Sequence, residues 1–171
     1  MLPRRPRLKD FPYTGRYRYF LTFCTRNRRE VFIAEAPVAL VWSQILRAAG
    51  ECTFNVTAHV LMPDHLHMLA EGVTEGSDLK RFAHLAKQRS AYQYRRQMRH
   101  HLWQPSYFDH VLRDDESSLP YIRYILENPV RAGLVLRAED YPYLGAGAIP
   151  VREMLKYLSE AGVDVWRPRQ P

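Results

Sequence analysis

At 171 residues the chain is long enough to bury one core without disulfide or metal staples. Its 46% hydrophobic and 12% aromatic content fits a globular protein and not a disordered one, and a formal net charge of +7 points to a polyanionic partner. No apolar run approaches the roughly 18 residues that span a bilayer, and Met1-Leu-Pro-Arg-Arg-Pro-Arg7 lacks the apolar stretch of a signal peptide. The expected setting is therefore the cytoplasm, with no membrane partner. Cys24 and Cys52, each placed in a strand, read as small buried hydrophobes of a reducing compartment.

Residues 1–16, rich in Pro and Arg and including Arg4 and Arg5, read as a mobile basic arm. Tyr17–Thr25 alternates aromatic and Thr residues and is expected to be a strand, followed by a basic turn at Arg26–Arg29. Ala36–Ala49 carries Val38, Val41, Trp42, Ile45 and Leu46 at helical spacing, with Pro37 in the first turn and Gly50 just past the end. Phe54–Met62 and His65–Ala70 read as strands joined by the turn pair Pro63-Asp64. A long helix is expected from Ser77, its N-cap, to about His100, and a fourth strand over Tyr107–Arg113. A further helix starts near Glu116 and carries Tyr121 and Tyr124. Asn128-Pro129 is expected to break it, because the residue before proline disfavours the α region. Asn128 would then cap a short helix from Pro129 to Ala132, with Gly133 closing it. Tyr141-Pro-Tyr-Leu reads as a packed loop and Val151–Ala161 as a last helix.

The order β-α-β-β-α-β implies an α+β fold: a ferredoxin-like, RRM-like antiparallel sheet covered by two helices, with C-terminal helices appended. The expected division is an arm over 1–16, a catalytic domain over 17–145, and a helical extension and tail over 146–171.

In a strand His65 and His67 share one face, about 6.5–7 Å apart, a span two imidazoles can close onto one cation. Leu66 and Met68 take the other face. Four residues separate Tyr124 from Asn128, so a continuous helix would put the carboxamide on the tyrosine's face. Two imidazoles plus an amide or carboxylate oxygen suit an open Mg²⁺ or Mn²⁺ site. A tyrosine beside such a cation suggests covalent attack on a phosphate, but with 11 tyrosines in the chain spacing alone does not select Tyr124 over the others, Tyr121 included, and Asn128 as a plain helix cap stays an alternative. The long helix carries Lys80, Arg81, Lys87, Arg89, Arg95, Arg96 and Arg99 against Asp78 alone. That is a phosphate-binding surface or a solvated face. Trp103 and its neighbouring tyrosines offer stacking platforms or ordinary core. His110 reads better as a hydrogen-bonded, partly buried ring than as a ligand, and Arg113 as a phosphate contact.

The segment Met62-Pro-Asp-His-Leu-His67 resembles the HUH motif (His, hydrophobe, His) of single-tyrosine transposases. Tyr121-Ile-Arg-Tyr-Ile-Leu-Glu-Asn-Pro-Val-Arg-Ala-Gly-Leu-Val135 resembles the tyrosine block of the REP-associated tyrosine transposases, and Leu102-Trp-Gln-Pro with Phe108-Asp-His-Val-Leu-Arg113 is similar to the same subgroup. The resemblance implies a metal-dependent endonuclease and strand transferase acting on single-stranded DNA beside hairpins, through a 5′-phosphotyrosine. It implies Tyr124 as nucleophile, His65 and His67 as ligands of Mg²⁺ or Mn²⁺, and Asn128 in the third-ligand position. Related transposases often have Gln there, one methylene longer. Lys80, Arg81, Lys87, Arg89, Arg113, Trp103, Arg4 and Arg5 would hold DNA, the protein acting as a monomer or homodimer. The competing expectation is a non-catalytic RRM-like nucleic-acid-binding module. A zinc-stabilised regulator using Cys24 or Cys52 lacks the usual ligand spacing.

Overall fold

The structure is a computed structural model and describes residues 11–166. In chain order it contains β1 (Arg18–Cys24), α1 (Glu35–Glu51), β2 (Phe54–Met62), β3 (His65–Gly72), α2 (Leu79–Met98), β4 (Phe108–Leu112), α3 (Leu119–Arg131), β5 (Leu144–Gly145) and α4 (Val151–Glu160). One sheet runs in the order β4-β1-β3-β2-β5 with every pairing antiparallel. β1 and β2 therefore run parallel with β3 between them, as do β3 and β4 around β1. These are two split βαβ units, the ferredoxin-like sandwich expected from the element order.

Alternation along β3 feeds two cores. Leu66, Met68 and Ala70 join Tyr19, Leu21 and Phe23 beneath α1 and α2. Leu69, of the same parity as the histidines, joins Phe20, Val60 and Met62 beneath α3 and α4. A one-residue slip would drive both imidazoles under α1 and α2 and expel Leu66 and Met68. Burying such an apolar side chain contributes about 1.5–3 kcal/mol, so packing on the far side of the sheet holds the register that aims the histidines at α3.

Several local expectations are corrected. α3 is continuous from Leu119 to Arg131 with Pro129 inside it. Asn128 stays helical and caps nothing, its carbonyl accepting from Ala132 N at 3.0 Å. Proline costs the Ile125 carbonyl its bond, but Ile125, Leu126 and Pro129 are all buried, and that burial outweighs the local preference. Gly133, at φ +71°, does end the helix. Asp78, not Ser77, caps α2, its carboxylate accepting from Arg81 N at 3.1 Å. Ser77 is buried and donates to the Thr53 carbonyl at 2.8 Å. Cys52 ends α1 instead of lying in a strand, and Gly50 falls inside that helix. Residues 11–16 are no mobile arm: Tyr13 is buried among the core aromatics, and its carbonyl accepts from Leu79 N at 2.9 Å. The rest of the expected arm, with Arg4 and Arg5, and the tail after 166 lie outside the described residues. None of the helices among the described residues is long and apolar enough to cross a membrane.

A half-buried base, His59, makes the fold acid-sensitive. His59 of β2 stacks on Trp42 of α1 with ring centroids 3.8 Å apart. It also abuts Gly145, where an added Cβ would stand 2.5 Å from its Cε1. Burial pushes its pKa down from 6.5 to about 4. Between those values the unfolded chain takes up a proton that the folded chain refuses, so stability falls as pH drops. Urea denaturation should show that loss between pH 6.5 and 4, and His59→Gln should flatten it by roughly 1–3 kcal/mol. An unchanged slope in the variant would refute this account.

Candidate active site

β3 places His65 and His67 on one face, and their neighbours turn both rings the same way. Nδ1 of His65 lies 2.6 Å from Asp64 Oδ1, and Nδ1 of His67 lies 2.8 Å from Thr22 Oγ1, its cross-strand partner in the β1–β3 register. A carboxylate only accepts, so His65 donates from Nδ1 and keeps a lone pair on Nε2. Thr22 can accept as well as donate, so rotating its hydroxyl lets His67 present Nε2 in the same way. The two Nε2 atoms are 3.1 Å apart. Two nitrogens each about 2.1 Å from one cation and at right angles to each other sit about 3.0 Å apart, so the pair fits adjacent positions of one coordination sphere. Burial holds the His67 pKa well below its ordinary value, which keeps the ring neutral and able to ligate. Among the described residues no group of three or more His, Cys, Asp or Glu forms a metal cage. Further ligands would have to be an amide, water or substrate oxygen.

α3 brings Tyr124 against this pair. Its ring lies 5.5 Å from His67 and 5.7 Å from Phe20, with Arg131 Cζ 5.2 Å from the ring centroid. No hydrogen bond within the described residues engages its hydroxyl. Tyr121, one turn earlier, is the opposite case. It is 1% exposed, donates to Glu116 and sits 2.9 Å from His110 Nε2. Its pKa is raised, by burial first and the Glu116 contact second. His110 thus serves Tyr121 from β4. Trp166 stacks on Tyr121 at 4.7 Å and meets Tyr124 edge-on at 5.3 Å. Asn128, one turn beyond Tyr124, is half-buried, and no hydrogen bond among the described residues links its side chain to either imidazole.

Among the described residues, the α2 cations and the tryptophan singled out from the sequence are not gathered at this site. α2 packs on the opposite face of the sheet. Lys80 and Arg81 are exposed there, the Lys80 ammonium 5.3 Å from the Tyr13 ring centroid. Lys87 donates to the carbonyls of Gln104, Pro105 and Ser106 at 2.7, 3.2 and 3.0 Å, and burial lowers its pKa to about 8. Arg89 pairs with Glu51 at 2.7 Å. Trp103 is buried, donating from its indole to Ser90 at 2.9 Å. Lys87 and Trp103 are therefore committed inside the fold, and Arg89 to a surface ion pair. Arg113 is exposed at the end of β4. Sequence reading missed Thr22, Asp64, Arg28 and Trp166 as neighbours of the site. Asp64 alone carried a signal, lying inside the histidine motif.

A ferredoxin-like sheet thus presents an imidazole pair to a helical tyrosine. The chain belongs to the IS200-like transposase family, whose model matches residues 14–128. It is 26% identical over 133 residues to the REP-associated tyrosine transposase of Escherichia coli K12, covering 73% of each chain. It is also similar to a solved REP-associated tyrosine transposase bound to a REP hairpin, with a TM-score of 0.68, 19% identity, and coverage of 98% of this chain and 94% of that one. The protein is a transposase, a DNA-cleaving and DNA-joining enzyme.

Proposed function

We propose that the protein is a divalent-metal-dependent single-stranded DNA endonuclease and strand transferase that cuts and rejoins DNA beside hairpins through a 5′-phosphotyrosine, with Tyr124 as nucleophile. The observation that carries this reading is the Tyr124 ring 5.5 Å from His67, its hydroxyl without a hydrogen-bond partner among the described residues while that of Tyr121 is tied to Glu116 and His110. His65 and His67 hold the cation, Mg²⁺ or Mn²⁺, with Asn128 as an oxygen ligand. When bound, the cation neutralises and polarises the phosphate. Asp64 and Thr22 keep the two Nε2 lone pairs converged. The Tyr124 oxygen attacks phosphorus in line, the P–O3′ bond breaks, and the phenol proton ends on the departing 3′ oxygen. A 3′-hydroxyl reverses these steps to rejoin the strand. The bond energy stays in the phosphotyrosine, so no nucleotide hydrolysis is needed, and no Gly-rich phosphate loop occurs in the sequence.

Tyrosine and imidazoles belong to one chain, so a monomer suffices for cleavage, acting on genomic DNA in the cytoplasm. Lys80, Arg81 and Arg113, with Arg4 and Arg5 of the N-terminal segment, track the DNA backbone. The hairpin as substrate is supported by the related transposase solved with a REP hairpin.

The test is incubation of the full chain with hairpin-bearing single-stranded DNA and Mn²⁺ or Mg²⁺, followed by a denaturing gel. A covalent protein–DNA band that disappears with EDTA is expected. Binding without a covalent band under any divalent ion would establish the non-catalytic module instead.

A further inference from the structure

We propose that Arg28 is a phosphate-holding residue of this site: its guanidinium, fixed by Asp64 and Cys24, offers its remaining N–H groups to the DNA phosphate that reaches the His65–His67 pair. The inference rests on the reading of that pair and Tyr124 given above.

Cys24 stands opposite His65 in the β1–β3 register. Arg28 Nη1 lies 2.9 Å from Cys24 Sγ and Nε lies 2.8 Å from Asp64 Oδ2, while Asp64 Oδ1 holds His65 at 2.6 Å. Arg28, Asp64 and His65 are thus one connected chain. Nη2 has no protein partner among the described residues, and the side chain is 51% exposed. A guanidinium anchored through Nε and Nη1, with Nη2 left to donate, suits a charge-assisted hydrogen bond to a phosphodiester oxygen.

The backbone supplies an independent sign. Asn27 and Arg28 both adopt left-handed conformations, φ +56° and +55°, which cost a non-glycine residue energy and persist only where the surroundings impose them. Here they are imposed. Thr25 Oγ1 donates to the Arg29 and Asp64 carbonyls at 2.7 and 2.9 Å, and Val31 N donates to the Pro63 carbonyl at 2.7 Å. The turn is stapled to the loop that precedes His65, and it holds Arg28 against Cys24 and Asp64. A half-exposed ion pair contributes little to stability, and Asp64 can orient His65 without a cation. The fold alone therefore does not account for this arrangement.

The test uses the full chain, with the scissile linkage mapped from the wild-type adduct. In a Tyr124→Phe background with EDTA, affinity is measured for that strand and for the same strand bearing a neutral methylphosphonate at the scissile position. Mn²⁺ affinity is titrated separately. Without a change at Arg28 the phosphate should be preferred by about tenfold. Arg28→Gln should erase the preference and Arg28→Lys keep part of it, with Mn²⁺ affinity within about threefold of wild type in each. Preference retained in Arg28→Gln overturns the proposal, and a fall in Mn²⁺ affinity with the preference intact reduces Arg28 to a support for His65. Wild type forming no adduct at all would overturn the nuclease reading and this one with it, whereas a normal adduct beside an unaltered Arg28→Gln refutes Arg28 alone.

Discussion

A Tyr124→Phe chain should bind hairpin-bearing single-stranded DNA as the wild type does and form no covalent adduct with it. The substitution removes one oxygen that has no hydrogen-bond partner among the described residues, and the ring keeps its contacts with His67, Phe20 and Trp166. Stability and hairpin affinity should therefore stay close to wild type. Cleavage should fall by about a thousandfold or more, because losing a nucleophile removes the covalent path outright. Tyr121→Phe should show the reverse pattern. Its hydroxyl joins Glu116 and His110 inside the α3 core, and stranding those partners costs about 1–3 kcal/mol, visible as a lower urea midpoint while the adduct persists. If Tyr121→Phe abolished the adduct and Tyr124→Phe kept it, the nucleophile assignment would be wrong.

The contrast between these tyrosines marks where sequence reading runs out. Two-residue periodicity in β3 was enough to put His65 and His67 on one face, because Leu66 and Met68 demand the other. Helical spacing put Tyr124 and Asn128 one turn apart. Which tyrosine meets the histidines depends on how α3 lies across the sheet, and that is set by Phe20, Met62 and Leu69 packing against Ile125 and Leu126, contacts distant in sequence. The same limit explains the other corrections. Asn128-Pro129 reads locally as a break, yet burial of the surrounding residues outweighs one missing hydrogen bond. Pro and Arg near the N-terminus suggested a free arm, yet Tyr13 docks into the core. Lys87 counted as one more cation on a basic helix until the 104–106 loop folded back and gave it three carbonyls. Thr22 could not be named as the partner of His67 before the register of β1 on β3 was known. Local pattern reveals which face a side chain takes, and tertiary packing decides what waits there.

A second large effect is expected at the two histidines proposed as ligands, which should behave alike chemically and differently as structural parts. His65→Ala and His67→Ala should each weaken Mn²⁺ binding by at least about a hundredfold, since even the partners that orient a metal-bound histidine are worth about 10–100-fold, and each should leave adduct formation undetectable. Their stabilities should diverge. The His65 side chain is 14% exposed and its Nδ1 partner, Asp64, keeps the Arg28 ion pair after truncation, so the fold should lose little. His67 is 6% exposed, stacks on Phe20 with ring centroids 5.2 Å apart and occupies the hydroxyl of buried Thr22. Its removal leaves a cavity under Tyr124 and an unpartnered hydroxyl, together costing roughly 2–4 kcal/mol. Adding Thr22→Val to His67→Ala should return part of that loss by removing the stranded hydroxyl, and it should restore no Mn²⁺ binding. Urea midpoints and Mn²⁺ titrations on the three variants test the two halves separately. Equal stability losses at the two positions would mean that His67 is not wedged between sheet and α3 as described. Undiminished Mn²⁺ affinity in either alanine variant would mean that the imidazole pair is not the metal centre.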